Sequence, residues 1–257
     1  MSVPRPHSKM PSDNGRPRTT VDELARKVRS ETIPVNDRFS YFLVMPVAEE
    51  DLRQYIQDPI SALPPAVSKM LPKVTLVLAP WLEKTSAKST VAVVYEKPIE
   101  AKLALSTRIS TADSVTMFFT VKDEQVADYH YFLFDEIAGV IADRWTPEVE
   151  EGFSRLIREE LAADVHGEVD ERSWHAKQTL IRRGPKAKRE GKPFKDYVKS
   201  SFTDTMTLYL HGICCDIDVE TGPRQLPSRY LRRRLLVLKD LFPPPEGQPV
   251  FPEDIKN

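Results

Sequence analysis

The hydrophobic period of the chain changes near residue 122, and this change constrains the fold more than any other feature. Residues 103–109 and 115–121 alternate apolar and polar side chains, which is the period of a strand with one buried face. Residues 126–141 repeat apolar side chains every three or four positions, which is typical of an amphipathic helix. Since such helices need an apolar surface to cover, we expect an α+β fold. A mainly antiparallel sheet at about 38–121 packs against a C-terminal helical layer at about 122–242.

Local signals place the individual elements. Strands are expected near 39–45, 74–78 and 90–95, in addition to the two alternating segments. Short polar connections between the last three strands favour an antiparallel meander. Thr146 followed by Pro147 is a strong start signal for a helix, and Thr20 with Glu23 has the spacing of a capping box.

The first nineteen residues differ from the rest of the chain. Prolines stand at positions 4, 6, 11 and 17, and large apolar residues are almost absent. Such a composition cannot bury enough surface to offset the entropy of ordering. We therefore expect a disordered, mildly basic tail at 1–19, followed by a single α+β domain at 20–257.

Composition excludes several classes of protein. The net charge of the 257 residues is −1, so no global attraction to nucleic acid or membranes follows from it. The only cysteines are Cys214 and Cys215, and a disulfide framework is therefore excluded. With neither a secretory signal nor a membrane span in view, a reduced, cytoplasmic protein is expected. The chain holds no Gly-rich phosphate loop and no His-Glu-x-x-His motif, and no cofactor is predicted.

Charge is nevertheless segregated along the helical half. Residues 122–173 contain 15 acidic and 5 basic side chains, whereas residues 174–239 contain 15 basic and 6 acidic ones. Neighbouring acidic and basic helices can neutralise each other. Alternatively, a basic loop at 182–199 contacts a protein partner or nucleic acid. The candidate binding residues are Arg182, Arg183, Lys186, Lys188, Arg189, Arg232 and Arg233.

A polar stripe on the helix predicted near 194–215 is the main candidate for chemistry. Asp204, His211 and Cys214 fall at helical spacings and share one face. Asp, His and Cys can bind a metal ion or activate a thiol nucleophile. Asp204 and His211 are two turns apart, about 10 Å along the axis, and cannot share an ion unaided. No metal site is therefore assigned, and the alternative is that these side chains are buried for packing.

Two further patterns remain open. His130, His166 and His175 lie on or beside three predicted helices, where they could meet carboxylates in a bundle core, although the Glu-x-x-His spacing of di-metal sites is absent. Glu100 and Lys102 enter a strand as Glu-x-Lys, an arrangement typical of metal-dependent nucleases.

No assembled catalytic set emerges from these patterns, so the leading hypothesis is a non-catalytic cytoplasmic interaction or regulatory protein. A hydrolase built on Asp204, His211 and Cys214 is the first alternative. A nucleic-acid-binding or nucleic-acid-processing protein is the second.

Overall fold

The computed structural model of the chain describes residues 18–85, 90–184, 191–215 and 224–251. The helices are α1 (Val21–Val28), α2 (Glu49–Leu52), α3 (Asp58–Ser61), α4 (Pro65–Met70), α5 (Val126–Arg144), α6 (Pro147–Ala162), α7 (Glu171–Arg182), α8 (Lys192–Cys214) and α9 (Ser228–Leu241). A π-helical turn at Arg53–Gln57 joins α2 to α3, and a 3-10 turn spans Glu100–Lys102. None of the described helices has both the length and the apolar character needed to cross a bilayer.

The strands form two sheets. They are β1 (Thr19–Thr20), β2 (Ile33–Pro34), β3 (Phe39–Leu43), β4 (Lys73–Ala79), β5 (Trp81–Lys84), β6 (Val91–Val94), β7 (Leu103–Ala104), β8 (Ser106–Ser110) and β9 (Ser114–Thr120). The larger sheet has the order β2-β3-β4-β9-β8, and the smaller has the order β1-β6-β5-β7. Among the described strands, five pairings are antiparallel and two are parallel. The expected α+β class with mainly antiparallel pairing is confirmed.

The predicted meander of the last three strands is only half correct. β8 and β9 form the expected antiparallel hairpin, but β6 pairs with β1 and β5 in the other sheet. The centre of the larger sheet, β3-β4-β9, is parallel. Parallel neighbours need a long crossover, and the segments between β3 and β4 and between β4 and β9 are long enough to supply one.

Both faces of the larger sheet are buried. On one face Leu76, Leu78 and Met117 join the main core with the C-terminal helices. On the other face Val77 and Phe118 pack in a second cluster with α1 and residues of the smaller sheet. The two buried faces explain why β4 and the Met117–Phe119 part of β9 are apolar at successive positions, although the alternation of 115–121 predicts one buried face.

The helical layer is organised around α8, which packs along α5 and α7 and also contacts α6 and α9. Thr146 caps α6 through the backbone N–H of Val149, with Pro147 at the first helical position, as predicted. The main core runs without interruption from Phe39 on β3 to Phe242 after α9. Sheet and helices therefore share one core.

The N-terminal prediction needs a correction at its boundary. Residues 1–17 of the expected tail lie outside the described residues. Thr19 and Thr20 form β1 and pair with β6, because the adjacent α1 has an apolar face (Val21, Val28) that packs in the second core cluster. The predicted capping box of Thr20 and Glu23 is present.

A buried ionic cluster holds the last helices together. The fully buried guanidinium of Arg234 on α9 lies 2.5 Å from a carboxylate oxygen of Glu160 and 2.8 Å from one of Glu168. Lys177 on α7 lies 3.2 Å from Glu168, and the hydroxyl of Tyr197 donates to the same carboxylate. Two buried cations thus face two buried carboxylates, so the charges compensate inside the protein.

Candidate functional site

The two cysteines meet a histidine where α8 ends. Cys214 is the last residue of α8, Cys215 caps the helix, and His130 projects from the second turn of α5. The two sulfur atoms and a ring nitrogen of His130 all lie within 4.8 Å of one another. The side chains of residues 85 positions apart are therefore brought into a single donor cluster by the packing of α5 against α8.

The orientation of the His130 ring is set by a backbone carbonyl. Its Nε2 lies 2.8 Å from the carbonyl oxygen of Gln54, in the π-helical turn. A carbonyl can only accept, so Nε2 carries the hydrogen and donates it. The other nitrogen, Nδ1, faces Cys215 Sγ at 3.1 Å. His130 is almost fully buried, so little else competes for this nitrogen.

The cluster shifts the pKa values of its two thiols in opposite directions. A hydrogen bond from Cys214, with further help from His130 and His211, lowers the pKa of Cys215 to about 3 against the opposing effect of burial. The same hydrogen bond, together with burial, raises the pKa of Cys214. Burial works to lower the pKa of His130, but hydrogen bonds to Cys215 and Gln54 outweigh it and the net shift is upward. Of the two thiols, Cys215 is therefore the one whose pKa the surroundings lower.

The helix end determines which ligand this cluster suits. The carboxyl end of a helix carries partial negative charge and favours cations, and both cysteines stand at the carboxyl end of α8. Nucleophilic cysteines benefit from the opposite end, where backbone N–H groups stabilise a thiolate. The location therefore favours binding a cation over attacking a carbonyl group.

The structure divides the predicted stripe of Asp204, His211 and Cys214. Cys214 belongs to the cluster and His211 stands one helical turn before it. The buried Asp204 instead accepts hydrogen bonds from Arg172 Nε and from the backbone N–H of Ser173, each at 2.8 Å. Burial raises the pKa of Asp204, opposed mainly by Arg172. The carboxylate ties the start of α7 to the middle of α8, so it is covered by protein.

Both ends of the predicted basic loop at 182–199 belong to helices. Arg182 ends α7, Arg183 caps it, and α8 already begins at Lys192 because Pro193 suits a first helical turn. Arg182 and Arg183 are exposed, and Lys186, Lys188 and Arg189 lie outside the described residues. A loop reaching residue 199 was therefore wrong.

The two basic candidates on α9 have partners of their own. Arg233 pairs with Glu159 of α6, and the guanidinium of Arg232 lies 4.4 Å from the centre of the Phe251 ring. Lys199 likewise pairs with Asp143 at 2.5 Å. These ion pairs join the basic to the acidic part of the helical half, which supports mutual neutralisation.

The Glu-x-Lys pattern lies on an exposed 3-10 turn immediately before β7. Lys102 is 3.9 Å from the carboxylate of Glu83 on β5, which also accepts from Arg18 at 2.7 Å. The lysine is therefore directed toward a carboxylate that already has another cationic partner.

His130 and Gln54 are the site residues that sequence reasoning missed. The sequence pattern associates His130 only with carboxylates of the helical half, and Gln54 contributes a backbone atom that no side-chain pattern reveals. The Cys-Cys pair was visible, but its partner stands on another helix.

Comparisons with protein-family models, with curated proteins and with solved structures give no match. The chemistry of the site is therefore inferred from the residues of this chain alone. The observation with the clearest chemical meaning is the cluster of two thiols and one oriented imidazole.

Proposed function

We propose that this chain is a non-catalytic cytoplasmic regulatory protein whose state depends on a thiophilic metal ion, zinc, held by His130, Cys214 and Cys215. The observation that carries the proposal is the convergence of these three donor atoms within 4.8 Å. Two thiolates and one imidazole are ligands that Zn²⁺ prefers, whereas Mg²⁺ and Ca²⁺ prefer oxygen.

The hydrogen bond that orients the His130 ring supports the same ligand. A metal-binding histidine almost always donates its other ring N–H to a carboxylate or a backbone carbonyl, which orients the ring. The Gln54 carbonyl does this for His130. The orientation of the ring that presents Nδ1 to a metal ion is therefore already set.

Regulation follows from the elements that the ligands connect. His130 belongs to α5, both cysteines to the end of α8, and Gln54 to the turn before α3. A bound ion would tie these three segments together. Because only the folded chain presents the complete ligand set, metal binding would stabilise it.

A competition titration tests the proposal. The reduced, chelator-treated protein receives Zn²⁺ in the presence of a chromophoric chelator, and Co²⁺ provides a spectrum that reports thiolate ligands. We expect one ion per chain, and loss of tight binding in Cys215→Ser, Cys214→Ser and His130→Ala. His166→Ala is the matched control, since this histidine is exposed and distant in sequence from the cluster. Equal Zn²⁺ affinity in the control and in Cys215→Ser would reject the proposal.

The 3.1 Å contact of His130 Nδ1 with Cys215 Sγ also supports a second candidate, a thiol-dependent hydrolase in which His130 takes the thiol proton. Asp204 has no role in this hydrolase, because its carboxylate already accepts hydrogen bonds from Arg172 and from the backbone of Ser173. Turnover of an activated ester that disappears in Cys215→Ala and persists with excess chelator would favour the hydrolase over the metal site.

Contact with a protein or nucleic-acid partner through Arg182 and Arg183 stays a prediction. Both side chains are exposed at the end of α7. Alanine replacement of Arg182, Arg183, Lys186, Lys188 and Arg189 together should weaken binding of such a partner and make it less sensitive to salt. Unchanged binding would count against this surface.

A further inference from the structure

His211 stands beside the cluster on the same helix face. It precedes Cys214 by three residues and Cys215 by four, which are the spacings of side-chain neighbours on a helix. Its carbonyl oxygen accepts the backbone N–H of Cys215 at 2.8 Å. The last turn of α8 therefore fixes the position of the His211 backbone relative to both sulfur atoms.

Aromatic rings of α5 pack beside the His211 side chain. Its ring centre lies 6.2 Å from that of Tyr131 and 6.1 Å from that of Phe134. Phe134 also lies 6.3 Å from His130. Both imidazoles thus pack against the same phenylalanine, on the side of α5 that faces the end of α8.

The Nε2 atom of His211 is the part of the ring that points to a ligand. His211 Nε2 is buried and has no hydrogen-bond partner within the portion of the chain that the structure describes. A buried nitrogen of this kind needs a partner, and a bound ion is one of the few that satisfy it.

We infer that His211 is the fourth protein ligand of the proposed metal ion, and that the complete set is Cys214, Cys215, His130 and His211. The inference rests on the proposed function and specifies its coordination. His211 joins the other three donors by rotation of its side chain, since its backbone already lies one turn away. Two thiolates and two imidazoles form a closed tetrahedral zinc site.

A closed site has a chemical consequence. Catalytic zinc keeps an open position for water or substrate, whereas structural zinc is surrounded by four protein ligands. With His211 bound, this ion would have no position for a reacting water. The four-ligand set therefore agrees with a regulatory or stabilising role for the metal.

The decisive measurement uses the wild-type chain. Long-range ¹H–¹⁵N spectra of the five histidines are recorded without metal and with one equivalent of Zn²⁺. We expect ring nitrogens of His130 and His211 to move to metal-bound values, while His7, His166 and His175 stay unchanged. If His130 alone moves, the proposed function stands and the fourth ligand is wrong. If no histidine moves, both are wrong.

A variant gives an independent test. His211→Ala should weaken Zn²⁺ binding by about 10-fold or more, since even outer-shell partners of a metal site contribute that much. The visible bands of its Co²⁺ complex should shift and weaken, because a water oxygen replaces an imidazole nitrogen as the fourth ligand. His166→Ala should leave both unchanged. An unaltered Co²⁺ spectrum in folded His211→Ala, verified by circular dichroism, would overturn the assignment.

Discussion

The Nε2 atom of His130 lies 2.8 Å from the carbonyl oxygen of Gln54 and donates its hydrogen to it. This contact decides that Nδ1, and not Nε2, faces the two cysteines. The carbonyl belongs to a π-helical turn, and such turns are frequent at functional sites. A backbone atom thus selects the tautomer on which the proposed metal site depends.

Zinc should stabilise the folded protein through this site. At a free Zn²⁺ concentration of 100 times the dissociation constant, the free energy of unfolding should rise by about 2.7 kcal/mol. Urea denaturation under reducing conditions, with and without Zn²⁺, measures the effect. Cys215→Ser should show no increase and His166→Ala the full one. A similar increase in both variants would point to binding elsewhere.

Asp204→Ala should destabilise the fold without affecting the metal site. The change leaves the buried N–H of Ser173 without its acceptor and removes the ion pair with Arg172. We expect a loss of about 2–4 kcal/mol in the free energy of unfolding. Asp196→Ala, at an exposed position of the same helix, should change it by less than about 0.5 kcal/mol. Weaker Zn²⁺ binding in Asp204→Ala with normal stability would restore Asp204 to the site.

Replacement of Arg234 should destabilise the fold far more than replacement of its neighbour Arg233. Arg234→Met leaves the buried Glu160 and Glu168 without their main cation, which should cost about 3–5 kcal/mol of unfolding free energy. Arg233→Ala removes a half-exposed pair with Glu159 and should cost at most about 1 kcal/mol. Chemical denaturation of both variants makes the comparison. Similar losses would mean that the buried cluster contributes little.

Ionisation of Glu168 should make the free energy of unfolding depend on pH in the acid range. Burial raises the pKa of Glu168, but the charge of Arg234, the hydrogen bond that Arg234 donates and the charge of Lys177 outweigh this effect. The pKa is therefore lowered from 4.5 to about 2. As the pH falls, the unfolded chain takes up the proton first. The contribution, on the order of 3 kcal/mol, is therefore complete above about pH 4.5 and is lost toward pH 2.

The pH dependence is measured by urea denaturation between pH 7 and pH 2.5. Glu168→Gln should be less stable than the wild type at pH 7 and should lose less stability over the acid range. Glu151→Gln, at an exposed position of α6, should follow the wild-type curve. Identical acid slopes for Glu168→Gln and wild type would show that another carboxylate is responsible.

Features that depend on neighbouring residues were predictable. The helix start at Thr146–Pro147 and the capping box of Thr20 and Glu23 are satisfied within one turn, so local sequence is sufficient to specify them. The period of apolar residues likewise located most strands and helices, because each buried face repeats with the geometry of its own element.

Features that depend on distant pairing were not predictable in the same way. The sequence does not specify whether β6 pairs with β5 or with β8, because the backbone hydrogen bonds of β6 can be formed with either strand. In the fold, β6 pairs with β5. The segment 103–109 reads as one strand, but it is divided at Leu105 between the two sheets.

At the candidate site, local sequence specifies only that two adjacent thiols follow His211 by one helical turn. The meeting of these thiols with His130 and the Gln54 carbonyl, and the pairing of Asp204 with Arg172, depend on how distant elements pack. The donor atoms converge because α5, α8 and the π-helical turn pack together. That packing is governed by apolar surfaces, and the pattern of apolar residues does not indicate which polar atoms it brings together.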